Sequence, residues 1–141
     1  MTHLRTILSG ILGVIIMTLF SGFLSQYSKT EFIEHRVLSK LLVKLGLSKF
    51  ISNVVGIKSH LMTGIGFNYI NKYLIDKKIV VSSFSSAVTT GFLEGLAGVT
   101  IWSIVFKLHP NPPKMNLRAY FTQLVFAHIV FGIFTILSVK K

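Results

Sequence analysis

The chain contains no cysteine, which excludes disulfides, thiolate catalysis and cysteine metal sites. Acidic residues are nearly as scarce: four, against fifteen lysines and arginines, for a formal net charge of +11. Charged residues of both signs make up only 13% of the chain, where a soluble domain carries roughly 25%. A deficit of that size, spread over 141 residues at a mean hydropathy of +0.67, argues against a water-soluble fold. Phosphate loops, nucleophile elbows and paired-carboxylate motifs are missing as well, so no soluble-enzyme chemistry is signalled. Gly64-Ile65-Gly66 is a fragment of a glycine fingerprint inside an apolar helix and carries no such meaning. The protein reads as an interaction protein more than as an enzyme. Proline is confined to Pro110, Pro112 and Pro113, leaving the rest of the chain free to run in long helices.

What is present is apolar sequence in long runs. A bilayer core needs about 20 such residues per helix. Spans are expected at residues 7–24, 57–75, 79–108 and 117–139, in an all-α polytopic membrane bundle of one domain. The second is the most polar, with Lys58, His60, Asn68, Asn71 and Lys72. The third is longer than the hydrocarbon is thick, so it tilts or its serine-rich first turns lie outside. Between the first two spans, Leu38, Leu41, Leu42 and Leu45 recur at helical spacing opposite Lys40 and Lys44. That stretch, about residues 37–46, is too short and charged to cross and reads as an amphipathic helix in the interface. Gly46 ends it, Ser48 caps a turn after it, and Asn116 caps the last span. Arg5 precedes a first apolar run that is long for a secretory signal and lacks a small-x-small cleavage pattern, so a retained span is expected.

Two ionisable residues fall where lipid is expected. Glu94 lies inside the third run and His128 inside the fourth. Ionisable groups at that depth are costly and usually face a protein interior or a water-filled cavity. Counting about fifteen residues outward from the proline turn places both at similar depth, roughly 22 Å along each helix, so they could pair. Thr18, Asn68 and Gln123 would complete a polar centre that binds a ligand or proton. Small residues supply helix-packing seams: Gly10 and Gly13 in the first span, and Ala87, Gly91, Gly95 and Gly98 in the third. No cofactor or metal is expected. His60 and His128, on different spans, are the candidates a haem or metal would use, but by span count their depths match poorly. His3, His35 and His109 read as interfacial.

The lysines cluster between apolar runs, as Lys40, Lys44 and Lys49, as Lys72, Lys77 and Lys78, and as Lys140 and Lys141. That pattern suits anionic lipid headgroups and not nucleic acid, for which no groove-reading motif exists. By the positive-inside rule the two longer connections are cytoplasmic and the termini outside.

Gly10-Ile11-Leu12-Gly13 with Met17-Thr18 and Ser21, then His109-Pro110-Asn111-Pro112-Pro113, then Ala127-His128-Ile129-Val130-Phe131-Gly132, form a recurrent pattern. It resembles small, uncharacterised four-span inner-membrane proteins of bacteria. The resemblance implies a helical membrane fold and no known activity. The function expected first is that of an accessory protein binding partner helices, a second copy or lipid, with a buried polar centre. The alternatives are a proton- or solute-conducting protein using Glu94 and His128, and a haem subunit.

Overall fold

The computed structural model of the protein describes residues 2–138. The expected end of the fourth span at Val139 and the basic tail Lys140-Lys141 lie outside the described residues. The described chain forms five α-helices: α1 (His3–Ser28), α2 (Glu34–Lys44), α3 (Lys49–Asp76), α4 (Phe84–Leu108) and α5 (Leu117–Ser138). Three of them, α1, α4 and α5, are long and apolar enough to cross a membrane. At 28 residues α3 is as long as these, but it is more polar.

Helix starts follow capping chemistry, in which a short polar side chain accepts from an otherwise orphaned N–H. Thr2, Ser48 and Ser83 hydroxyls accept from the N–H of Arg5, Ile51 and Ser86. The Asn116 side chain accepts from Ala119 N–H at 3.1 Å, as expected. Two of these caps move boundaries. Ser48 opens not a short turn but the whole of α3, which begins eight residues before the expected 57. Ser83 starts α4 at Phe84, so residues 79–83 lie outside the helix, as the serine run suggested. The first span extends to 3–28, beyond the apolar stretch that marked it. The amphipathic helix starts at Glu34, earlier than expected, and ends as foreseen. Gly46 takes a left-handed φ of +97°, while Leu47 N–H bonds Leu42 O and Gly46 N–H bonds Val43 O. That paired return is the Schellman arrangement glycine favours.

Contacts fix the directions of the helices. Thr6 meets Asn68 and Thr18 meets His60, so α1 and α3 are antiparallel. Ser21 meets Gln123 and Gly13 approaches Thr135, so α1 and α5 are antiparallel too. α4 packs along the length of α5 and hardly touches α3. The α4–α5 seam is built on small residues: a Cβ on Gly91 would lie 2.5 Å from His128 O, and one on Gly95 would lie 2.8 Å from Val125 Cα. Ala87 is fully buried there, beside Gly132. Gly10 lets α1 close on α3 at Ile65, and Gly13 admits Phe131 of α5.

The bundle is apolar outside and mixed inside. On α1, Leu4, Leu8, Leu12, Ile15, Leu19 and Phe23 form one exposed stripe. Its buried face holds Thr6, Ser9, Gly10, Gly13, Met17 and Ser21. That inversion suits a lipid surround, where close helix approach replaces the hydrophobic effect as the driving force. One core cluster joins Val14, Met17, Ala127 and Phe131 in the middle of the bundle. A second, at the end where α2 lies, joins Phe32, Val37, Leu41, Phe106 and Tyr120. α2 therefore closes one end of the bundle with its Val37 and Leu41 face.

Candidate functional site

Because α3 and α4 flank α5 without packing on each other, a half-open cleft of about 200 Å³ remains between them. Phe67 of α3 and Gly98, Ile101, Trp102 and Val105 of α4 form its walls, with His128 of α5 among the lining residues. α2 closes one end with Glu34, His35 and Leu38. The close approach that brings α2 there depends on Gly56, where a Cβ would lie 2.5 Å from His35 O.

Polar groups gather at the α2 end. Glu34 sits in the first turn of α2, where the helix dipole favours an acid. Its Oε2 lies 3.9 Å from His60 Nδ1, while its Oε1 is buried with no hydrogen-bond partner among the described residues. His60 Nε2 is 3.1 Å from Thr18 Oγ1, which holds the ring from the other side. The His35 ring lies 5.8 Å from that of His60. Burial pushes the His35 pKa below the ordinary value of 6.5, with His60 and Arg36 acting the same way and Glu31 and Glu34 opposing. The neighbouring cations turn elsewhere: Lys40 and Arg36 approach Glu31 at 3.6 and 4.0 Å. Glu34 is thus a carboxylate that no lysine or arginine among the described residues compensates.

His128 is 4% exposed. Its Nδ1 lies 2.9 Å from Leu124 O. A carbonyl only accepts, so Nδ1 carries a hydrogen and donates it. The ring stands edge-on to Phe67 at 5.9 Å. Gly98 admits it to α4, since a Cβ there would lie 3.3 Å from His128 Cε1.

The expected pairing of Glu94 with His128 is not made. Both are buried, and Gly91 and Gly95 set α4 against α5 at that level. Glu94, however, points to the α3 side, where the Asn71 amide is its polar neighbour without closing a hydrogen bond of ordinary geometry. The other members of the expected centre are dispersed. Asn68 donates to Thr6 O at 2.6 Å and Ser9 Oγ at 2.7 Å. Gln123 donates to Ser21 Oγ at 2.7 Å, and Asn71 donates to Thr135 Oγ1 at 3.3 Å. These side chains tie helix pairs together, and of that set only Thr18 and His128 reach the cleft region. The depth mismatch expected of His60 and His128 also disappears: with α3 starting at Lys49, His60 lies near mid-helix and lines the same cleft. No three potential ligands converge on one metal position among the described residues.

Glu34, His35 and Trp102 were not foreseen as site residues. Their signal was the scarcity of acid: Glu31 and Glu34 are two of four acidic residues and stand together just before an amphipathic helix. No protein-family model matches the chain, and no curated protein or solved structure matches it either. Fold and site together define a class: an all-α bundle with helices able to cross a membrane and a cleft with apolar walls and a polar end.

Proposed function

We propose that the protein is an accessory protein of a bacterial inner membrane that takes an amphiphilic lipid from the bilayer into the cleft between α3 and α4. The observation that carries this reading is the cleft's polarity: Phe67, Ile101, Trp102 and Val105 along the walls, and Glu34, His35 and His60 at the α2 end. Ligand sites are concave and mostly apolar, with a few placed polar groups. Ile101 is 55% exposed and continues into exposed Ile104 and Leu108, so the mouth opens on the apolar flank of α4. In this reading α2 lies in the interface, and α3 is a fourth crossing that hides Asn68 and Asn71 inside. Its 28 residues reach about 42 Å, more than the ~30 Å hydrocarbon core. The α2 end carries Lys29, Arg36, Lys40, Lys44, Lys49, Lys107, Lys114 and Arg118, which supports a cytoplasmic placement for it and an outer one for the termini.

The conducting alternative draws less support, because Glu94 and His128 share no hydrogen bond or ion pair among the described residues and Glu94 does not line the cleft. The haem alternative would need His60 Nε2, which Thr18 holds.

A diazirine-bearing phospholipid incorporated into membranes containing the protein tests the reading. Photolabelling should concentrate on Phe67, Ile101, Trp102 and Val105, and Gly98→Phe should suppress it by filling the cleft. Equal labelling of the α1 stripe at Leu8, Ile15 and Leu19, unaffected by Gly98→Phe, would defeat it. Because the chain lacks cysteine, Lys44→Cys and Lys77→Cys report topology directly. The two should react with an impermeant thiol reagent from opposite faces, and reaction from one face would remove the fourth crossing.

A further inference from the structure

Resting on the lipid-cleft reading, we infer that the cleft selects a phospholipid whose headgroup ends in a primary ammonium, with Glu34 as the group that recognises it. A buried acceptor left without a donor is unfavourable, and an ionised acceptor more so. Glu34 Oε1 is such an acceptor, on a residue that lines the polar end of a mostly apolar cavity. His60 Nδ1, at 3.9 Å from Oε2, is beyond hydrogen-bond reach and engages only one side of the carboxylate. The ligand must therefore bring both N–H donors and positive charge. An anionic head would meet the carboxylate with like charge.

The aromatic walls sharpen the inference. Trp102 and Phe67 both line the cleft, and aromatic faces attract ammonium groups of any substitution. They do not distinguish a primary from a quaternary ammonium. Glu34 does, because only the primary form has N–H bonds to give. A trimethylated head would keep the charge and leave Oε1 unsatisfied. The lysines around the α2 end attract anionic lipid to the rim, but Lys40 and Arg36 are drawn to Glu31 and do not line the cleft. The rim thus attracts anionic headgroups, and the cleft a zwitterionic one that presents its ammonium.

The test measures binding of phosphatidylethanolamine, its N-methyl and N,N-dimethyl derivatives, phosphatidylcholine and phosphatidylglycerol to the full chain in detergent, by native mass spectrometry. All carry the same acyl chains. Affinity should fall as N–H bonds are lost, most steeply at the last methylation, by about tenfold or more from the primary amine to phosphatidylcholine, the size expected for a charged hydrogen bond. Glu34→Gln should erase that ratio, and Trp102→Ala should weaken all ammonium lipids alike. Equal affinity across the methylation series overturns the inference while leaving the cleft reading intact, provided Trp102→Ala still weakens binding. Tightest binding of phosphatidylglycerol overturns it as well. Failure of Trp102→Ala and Gly98→Phe to affect any lipid sinks the cleft reading and the inference with it. The methylation series on the unaltered chain decides the matter even where a Glu34 variant fails to fold.

Discussion

Replacing Gly91 by alanine tests whether the α4–α5 seam holds the bundle together. The added Cβ would sit 2.5 Å from His128 O, 2.7 Å from Ile129 Cα and 3.1 Å from His128 C. All three are backbone atoms, so no rotamer change relieves the overlap. Ordinary contact begins near 3.4 Å, and the helices must separate locally by about 0.9 Å. Overpacking of this kind costs about 1–3 kcal/mol. Alanine also favours a helix over glycine by about 1 kcal/mol, which offsets part of that loss. Gly66 supplies the control: it lies in α3, and a Cβ there meets nothing within 4 Å. Gly66→Ala should therefore leave stability unchanged or raise it by up to about 1 kcal/mol. Reversible unfolding in mixed micelles of increasing dodecyl sulfate content reads both variants. Gly91→Ala should unfold at lower dodecyl sulfate, with about 1–3 kcal/mol separating it from Gly66→Ala. Equal midpoints would refute the claim that backbone proximity at this glycine stabilises the fold.

Other perturbations probe the remaining links. Gly56→Val should lift the start of α2 from α3, because its Cβ would meet His35 O at 2.5 Å; lipid capture should fall while the unfolding midpoint shifts less than for Gly91→Ala. Asn68→Leu removes two buried hydrogen bonds to α1 and should cost about 1 kcal/mol in the same assay, given about 0.6 kcal/mol for an average interhelical contact in lipid. Glu34→Leu should raise stability by about 1 kcal/mol, by removing an unsatisfied buried acceptor, while abolishing headgroup selectivity; a lower midpoint would show that Glu34 already has an adequate partner. Ammonium-lipid affinity should weaken as pH falls through and well below 6.5, the ordinary imidazole value. The sign follows from burial holding His35 below 6.5: it is neutral at the upper pH, and on protonation places a cation beside Glu34, next to His60, Arg36 and Glu31. Titrating lipid binding across that range checks this, and a flat profile would remove His35 from the site.

Much of the scaffold was legible because its causes are local. Apolar run length marks three helices able to cross a membrane, four-residue glycine spacing marks the α4–α5 seam, and Gly46 and Asn116 end or start helices by chemistry readable in a few residues. The start of α3 was missed because the turn that Ser48 caps read as separate from the span at 57, whereas the two are one helix through Gly56. Inside a packed bundle that glycine is instead the point where α2 lands. The centre was misdrawn for a different reason. Sequence gives depth along a helix to within a turn, but not which neighbour a face meets. Glu94 and His128 both turn toward α3 but meet it a turn apart, at Asn71 and at Phe67. Glu34, on a short helix outside the expected spans, enters the site only through the tertiary contact at Gly56.

The two orphaned carboxylates separate structural from functional burial. Glu94 and Glu34 each leave carboxylate oxygen without a hydrogen bond among the described residues, and each is unfavourable for the fold on its own. Their surroundings differ. Glu94 faces the Asn71 amide and does not line the cleft, so a molecule arriving from the bilayer does not reach it there. Glu34 lines the cleft at its polar end, and a cation-bearing head inserted from the flank of α4 can close its open bond. An unsatisfied group that a ligand can satisfy makes binding more favourable by the amount the empty site lacks. The same deficiency enclosed between helices gives a ligand nothing. The cleft, more than the buried centre of the spans, is therefore where a selective interaction is to be sought.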